Sequence, residues 1–166
     1  MTSYLLVVGD RVALGWILTE HRTAFPSRGR SEVAALEPGD ELFVYTTRGC
    51  FKNPTRDRGR IVGTARVAGP VERLEEPVTF GDRTFPFGCP LDVGPLAPFG
   101  DGIELAPLVD RLAAFDGAGS AWSIRLRRPL VRLSDDDAVQ LRSKIARRVG
   151  PGNEAPYTRW WLRHRG

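Results

Sequence analysis

Short strand-like segments separated by turns recur along this chain of 166 residues, and their spacing constrains its fold more than any other feature. Residues 4–8 form an apolar run typical of a buried strand, and residues 41–47 and 60–68 alternate between two faces. Residues 79–85 have the pattern of a hairpin. Hairpin-like spacing predominates over the roughly 30-residue spacing of a parallel βαβ unit. We therefore expect an α+β fold with a small, strongly curved, mostly antiparallel sheet and short flanking helices.

Helices are expected in three places, and a helical turn is expected over residues 31–36. Asp10 is a candidate N-cap for a short helix after the first strand, and residues 106–115 carry apolar side chains at helical spacing. The clearest helix begins after Ser134, whose capping-box partner is Asp137. It ends at Gly150, which is followed by proline.

The segments between these elements carry weaker signals. Residues 21–30 are expected to be a loop, and residues 122–133 alternate as a strand that Pro129 interrupts. Gly63 marks a bulge or a close backbone approach. We expect one domain over residues 1–150, followed at residues 151–166 by a basic and aromatic C-terminal tail.

The charge of the chain is polarised along its length. Residues 1–66 carry 10 basic against 7 acidic residues, and residues 67–124 carry 3 against 9. Residues 125–166 carry 11 basic against 4 acidic residues. Two basic flanks around an acidic middle favour a polyanionic partner.

The remaining composition predicts a cytoplasmic protein without a membrane partner. No apolar run approaches the ~18–20 residues of a membrane span, and the N-terminus lacks the pattern of a signal peptide. Cys50 and Cys89 do not make a disulfide framework, so both are expected to be reduced thiols.

Motifs for catalysis, metal binding or cofactor binding are missing from the sequence. It contains neither a glycine-rich phosphate loop nor a metal-ligand spacing. His21 and His164 lie far apart, and the consecutive residues Asp135, Asp136 and Asp137 point in different directions on a helix. We therefore expect no enzyme, no cofactor and no metal.

The informative features that remain are aromatic and basic segments, and their order along the chain resembles that of a known family. They are SYLLVVGD, LGW, PGDELFVYTTRG, GRIVGTARV, APLVDRLAAF and AWSIRLRRPLVRLSDDDAVQL. This ordered set, over about residues 3–148, resembles the EVE domain family of the PUA-like superfamily, which includes the YTH reader domains. The resemblance implies a small curved β-barrel flanked by helices, and a pocket in which aromatic side chains hold a flipped-out modified base. The pattern that marks the related ASCH group is absent.

The resemblance also implies where the pocket lies. Trp16 stands at the position of a cage tryptophan, Ile17 is next to it, and Gly9 and Asp10 stand where the relatives contact the edge of the base. The second aromatic wall is open between three residues: Trp122, Tyr45 and Phe51.

The basic loop after the strand expected at residues 41–47 supplies candidate phosphate ligands. They are Arg48, Lys52, Arg56, Arg58 and Arg60, and the alternative is a solvated loop without a ligand. Asp10 has two interpretations, because a carboxylate accepts hydrogen bonds from the amino group of cytosine or adenine but also from a helix N-terminus.

The sequence thus predicts a non-enzymatic module that binds a modified base of DNA or RNA. The alternatives are a general RNA-binding PUA-like domain without such a pocket, or a protein that binds a small molecule or nucleotide. The sequence does not indicate an oligomeric state.

Overall fold

The computed structural model describes residues 1–29 and 31–166, so Arg30 of the expected loop lies outside the described residues. In the described part the strands are β1 (Ser3–Val8), β2 (Arg22–Phe25), β3 (Glu41–Thr46), β4 (Arg60–Val67), β5 (Glu72–Phe80), β6 (Arg83–Leu96), β7 (Ile103–Glu104) and β8 (Leu130–Leu133). The helices are α1 (Arg11–Glu20), α2 (Ser31–Ala35), α3 (Asp135–Ala146) and α4 (Ala155–Arg165). Three 3₁₀ segments are η1 (Ala106–Arg111), η2 (Ala113–Phe115) and η3 (Gly119–Arg127).

One strongly curved sheet organises the chain as a half-barrel. Its strand order is β2-β6-β4-β3-β1-β8, with β5 paired to β6 and β7 paired to β4. Within the described residues only β1 and β3 pair in parallel, and the other ladders are antiparallel. This confirms the expected α+β class and the mostly antiparallel, curved sheet with short helices.

The two faces of the sheet carry two apolar cores. Leu42 and Val44 of β3 belong to the core that also contains α1, while Phe43 and Tyr45 belong to the opposite core. The second core includes the buried side of α3, for example Leu141. The alternation of β3 in sequence therefore corresponds to two buried faces, because both sides of this central strand are covered by helices.

Two local predictions are confirmed. Ser134 caps α3 in a capping box with Asp137, whose carboxylate also accepts hydrogen bonds from the amides of Ala113 (2.8 Å) and Ala114 (3.0 Å). The β4–β6 register shifts at Gly63, where a β-carbon would lie 3.0 Å from the carbonyl oxygen of Pro95. Gly63 thus marks both a bulge and a close backbone approach.

The strand expected over residues 122–133 is largely wrong. Residues 119–127 form η3, and β8 begins only at Leu130, after Pro129. The Arg125 guanidinium donates to the carbonyl oxygens of Ala114 and Asp116, each at 2.7 Å. These bonds hold residues 119–127 against η2. The segment therefore does not pair with a strand, although its side chains alternate as they would in one.

The loop expected over residues 21–30 is also corrected in part. Residues 22–25 form β2, which pairs with β6 and buries Phe25 completely. His21 ends α1 in the left-handed region (φ 54°), and the chain enters β2 directly from this cap.

The segment that the sequence analysis places outside the domain packs against it as a helix. α4 lies against α1, and the buried Tyr157 donates its hydroxyl proton to the carbonyl oxygen of Ala97 (2.7 Å). A β-carbon at Gly15 would lie 2.6 Å from the β-carbon of Trp161, so the helices touch at their backbones. None of the described helices is long and apolar enough to cross a membrane.

Candidate functional site

A cavity of about 540 Å³ opens where β1 ends and α1 begins. The β5–β6 hairpin forms its second side, and the segment that joins η3 to β8 forms its third. Its lining combines apolar, acidic and basic side chains, and the residues used below are Gly9, Asp10, Trp16, Ile17, Thr47, Phe80, Asp82, Arg83, Phe85, Arg127 and Arg128. The volume lies within the range of about 300–1,000 Å³ that is usual for small-ligand sites.

Aromatic rings form one wall of this cavity. Trp16 and Phe80 are almost completely buried and meet edge to face, with 5.6 Å between the ring centroids and 63° between the planes. Phe85 extends the wall, 5.8 Å from Phe80. The guanidinium carbon of Arg22 lies 5.1 Å from the Trp16 ring centroid. Because Trp16 and Phe80 touch directly, a planar ligand would stack beside them rather than between them.

The cavity lining contains two acidic residues: Asp10 at the junction of β1 and α1, and Asp82 between β5 and β6. The Oδ1 of Asp10 accepts hydrogen bonds from the amides of Val12 (2.7 Å) and Ala13 (3.0 Å), which makes Asp10 the N-cap of α1. No described residue donates to Oδ2. Asp10 lines the cavity, caps the helix with one oxygen and retains the second as an acceptor.

Positive charge lies at the edge of the cavity. Arg83 comes from the turn of the β5–β6 hairpin, and Arg127 and Arg128 come from the end of η3. Arg128 pairs with Glu32 at 2.8 Å, whereas the Arg127 guanidinium has no ion-pair partner among residues 1–29 and 31–166. The cavity thus combines an aromatic wall, the carboxylates of Asp10 and Asp82, and an arginine rim.

The structure brings Gly9, Asp10, Trp16 and Ile17 together around the cavity. The three candidates for a second aromatic wall lie elsewhere. Tyr45 belongs to the opposite core because it points to the other face of β3, beneath Gly59.

Trp122 and Phe51 are outside the cavity for different reasons. Trp122 stands on η3 instead of a strand, and its ring packs at 90° on Phe115, 5.8 Å away. Phe51 turns toward Phe99 (4.9 Å) and Trp160 (5.4 Å). Phe80 and Phe85, which the sequence analysis missed, take the place of these candidates. The available signal was the presence of two phenylalanines on either side of a predicted hairpin turn.

The candidate phosphate ligands of the basic loop do not line the cavity. Arg48, Lys52, Arg56 and Arg58 are exposed after β3. Arg60 pairs with Glu104 (3.4 Å) and donates to the carbonyl oxygen of Gly102 (3.4 Å), at a separate surface groove. Their role in phosphate binding stays a prediction.

The thiols of the chain are buried and protonated at neutral pH. Burial raises the pKa of Cys50, and the carboxylates of Asp10 and Asp57 raise it further. Burial raises the pKa of Cys89 to about 12. The described residues also contain no group of three or more His, Cys, Asp or Glu side chains that are placed to hold a metal ion.

Comparisons of sequence matched no family model and no curated protein. Comparisons of structure match three proteins of interest at low identity. The Mmi1 YTH domain in complex with RNA has 12% identity and a TM-score of 0.57, over 91% of this chain and 84% of that one. Human THYN1 in complex with DNA that contains 5-methylcytosine has 12% identity and a TM-score of 0.55, over 87% and 97%. Rpa0253 from Rhodopseudomonas palustris has 14% identity and a TM-score of 0.52, over 88% and 94%.

These likenesses extend over most of the chain and define its fold. The half-barrel sheet and its short helices are an α+β fold of the PUA-like, YTH type.

Proposed function

We propose that this chain is a non-enzymatic nucleic-acid-binding module of the EVE type, and that its cavity holds a modified base. The observation that carries the proposal is the position of Trp16. This tryptophan is buried, yet it lines a cavity of about 540 Å³ together with two carboxylates and arginines. Two proteins of the same fold were solved with RNA or with methylated DNA, which supports a nucleic acid as the partner.

The aromatic wall supplies the attraction for a base. Every base has a π-face, and stacking on an aromatic side chain contributes ~1–3 kcal/mol per base. A methyl group on the base adds apolar surface that Trp16, Ile17 and Phe85 can cover. An unmodified base leaves this part of the cavity unfilled, so the cavity distinguishes the two.

Asp10 supplies the contact to the base edge. A carboxylate only accepts hydrogen bonds, and the exocyclic amino groups of cytosine and adenine donate them. The second oxygen of Asp10 has no donor in the described structure. A base derived from cytosine or adenine therefore fits this position better than thymine or uracil.

The arginine rim supplies the contact to the backbone. Extraction of a base from a stack costs a few kcal/mol. Arg83, Arg127 and Arg128 stand at the cavity edge, where the flanking phosphates of an inserted nucleotide would lie. Phosphate contacts of this kind offset the cost of extraction without reading the sequence.

A binding array tests the proposal. The wild-type protein is titrated with modified and unmodified nucleosides and with short DNA and RNA oligonucleotides that contain them. The variants are Trp16→Ala and, as a control of the same residue type away from the cavity, Trp122→Ala. The proposal expects saturable binding of a modified nucleoside that Trp16→Ala weakens about fivefold or more and Trp122→Ala leaves unchanged.

Two results would identify another function. Oligonucleotide binding without any preference for a modified base would indicate a general RNA-binding domain. Binding of free nucleotides, with no higher affinity for longer oligonucleotides, would indicate a protein that binds small molecules.

Circular dichroism of the Trp16→Ala and Trp122→Ala variants checks that they remain folded.

A further inference from the structure

A second aromatic cluster lies on the surface outside the cavity. Phe99 is 41% exposed and stands 4.9 Å from Phe51, 6.1 Å from Trp160 and 5.3 Å from Tyr157. Phe51 and Trp160 are partly buried and lie 5.4 Å apart. We call these four residues the Phe99 platform.

The buried Tyr157 fixes the platform in position. Tyr157 is 1% exposed, and its hydroxyl donates to the carbonyl oxygen of Ala97 (2.7 Å). This bond joins α4 to the loop that carries Phe99. The exposed ring of Phe99 therefore packs on a buried, hydrogen-bonded tyrosine. This fixed position lowers the entropy cost of binding a ligand on the ring.

Cations surround the platform. The guanidinium carbon of Arg159 lies 4.3 Å from the ring centroid of Trp160 and 5.9 Å from that of Phe99. Arg11 lies 4.9 Å from the ring centroid of Trp160. The adjoining loop adds the exposed Arg48 and Lys52. The nearby carboxylate of Asp101 is paired with Arg148 at 3.5 Å, so the surface has excess positive charge.

Two segments of the chain lead from the cavity lining to the platform. Arg11, over Trp160, directly follows Asp10 of the cavity lining. The loop that carries Phe51 begins after Thr47, which also lines the cavity. Two chain segments beside the platform therefore begin at residues of the cavity lining.

We propose that the Phe99 platform stacks a base that flanks the base in the cavity, so that the preferred partner is a single-stranded nucleic acid segment. This inference rests on the proposed function. Bases in a duplex stack on each other, whereas an unpaired flanking base presents a free face to an aromatic ring. Guanidiniums beside the rings bind the phosphates of the same strand. A nucleic acid strand carries planar bases and phosphates in alternation, which suits rings and guanidiniums that lie side by side.

The test uses the full chain and compares three ligands: a modified nucleoside, a single-stranded pentanucleotide with that nucleotide at its centre, and the same pentanucleotide with abasic flanks. Phe99→Ala removes the exposed ring, and Leu162→Ala is the control because Leu162 on α4 is also 41% exposed. The proposal expects that Phe99→Ala leaves nucleoside affinity unchanged and weakens pentanucleotide binding about fivefold or more. Replacing the flanking bases by abasic sites should weaken pentanucleotide binding by the wild type as much as Phe99→Ala does. The same replacement should not weaken binding by the Phe99→Ala variant any further.

Each of the other outcomes contradicts the platform proposal, the cavity proposal or both. If Phe99→Ala binds the pentanucleotide as the wild type does, the platform is not a stacking site, although the cavity still binds a base. If Trp16→Ala binds all ligands normally while Phe99→Ala loses the pentanucleotide, the cavity proposal fails and the platform remains. If the wild type binds no nucleic acid, both proposals are overturned.

Discussion

Trp16 in α1 and Phe80 at the end of β5 are distant in sequence, but their rings meet edge to face with 5.6 Å between centroids. Both rings are almost completely buried and both line the same cavity. The contact joins the helix that follows β1 to the tip of the β5–β6 hairpin. The aromatic wall therefore depends on the hairpin folding over the start of the chain.

Phe80 should bind the base together with Trp16, as part of the same aromatic wall. Phe80→Leu keeps most of the buried volume and removes the ring, so we expect a loss of stability below about 1.5 kcal/mol and about fivefold weaker nucleoside binding. Phe115→Leu is the matched control, because Phe115 is a buried ring in the opposite core. Isothermal titration of both variants checks this, and equal nucleoside affinities would exclude Phe80 from the site.

Asp10→Asn should separate the two roles of Asp10. Asparagine is as good an N-cap as aspartate, so the melting temperature should stay near that of the wild type. The amide in place of the free carboxylate oxygen adds a donor, so selectivity should move away from bases with an amino group. Asp10→Ala should lower stability by about 0.5–2 kcal/mol through loss of the cap. Unchanged base selectivity in Asp10→Asn would leave only the capping role.

The ion pair between Glu41 and Arg142 should make stability depend on pH in the acid range. Burial raises the pKa of Glu41, but hydrogen bonds from Arg142 (2.7 and 3.0 Å) and Ser3 (2.9 Å) outweigh burial and hold the pKa below its ordinary value. A lowered pKa in the folded state stabilises the protein above the unfolded pKa, and this contribution is lost as the pH falls through the folded pKa.

Urea unfolding between pH 7 and pH 2.5 measures this contribution. Arg142→Gln should lose stability at pH 7, because the nearly buried Glu41 loses its charged partner. The variant and the wild type should converge as Glu41 becomes protonated. A constant difference in the free energy of unfolding across this range would contradict the assignment to Glu41.

Gly15→Ala should destabilise the fold although alanine is the better helix former. In an exposed helix this change stabilises by about 1 kcal/mol. Here a β-carbon would lie 2.6 Å from the β-carbon of Trp161 and 3.2 Å from the carbonyl oxygen of Thr158, which forces α1 and α4 apart. We expect a loss of about 1–3 kcal/mol. Gly49→Ala is the control, because nothing lies within 4 Å of its β-carbon position and thermal unfolding should change little.

The elements that follow from local chemistry were predictable from the sequence. The alternating strands at residues 41–46 and 60–67 and the capping box at Ser134 depend on neighbouring residues, and both features are present. The bulge at Gly63 was signalled by the glycine itself, although the close approach there is to the distant Pro95. Trp16 was found through the resemblance of its short motif to a known family. Its position at the cavity could not be derived from periodicity, which accounts equally well for a core residue.

The parts that depend on distant contacts were not predictable. The alternation of residues 122–127 resembles a strand, but hydrogen bonds from Arg125 to η2 hold this segment as η3. α4 has no capping side chain at its start, and it is placed by the contact of Gly15 with Trp161 and Thr158. Phe80 reaches the cavity only because its hairpin folds over α1.

Residue-resolved NMR of the four tryptophan side chains tests the central claim most directly. Each indole N–H gives its own signal, which is assigned by single Trp→Phe variants, and the protein is titrated with methylated cytidine and adenosine nucleosides. The account predicts a saturable shift of the Trp16 signal with one of these nucleosides, a smaller shift with its unmodified form and a constant Trp122 signal. A constant Trp16 signal during saturable binding would contradict the account.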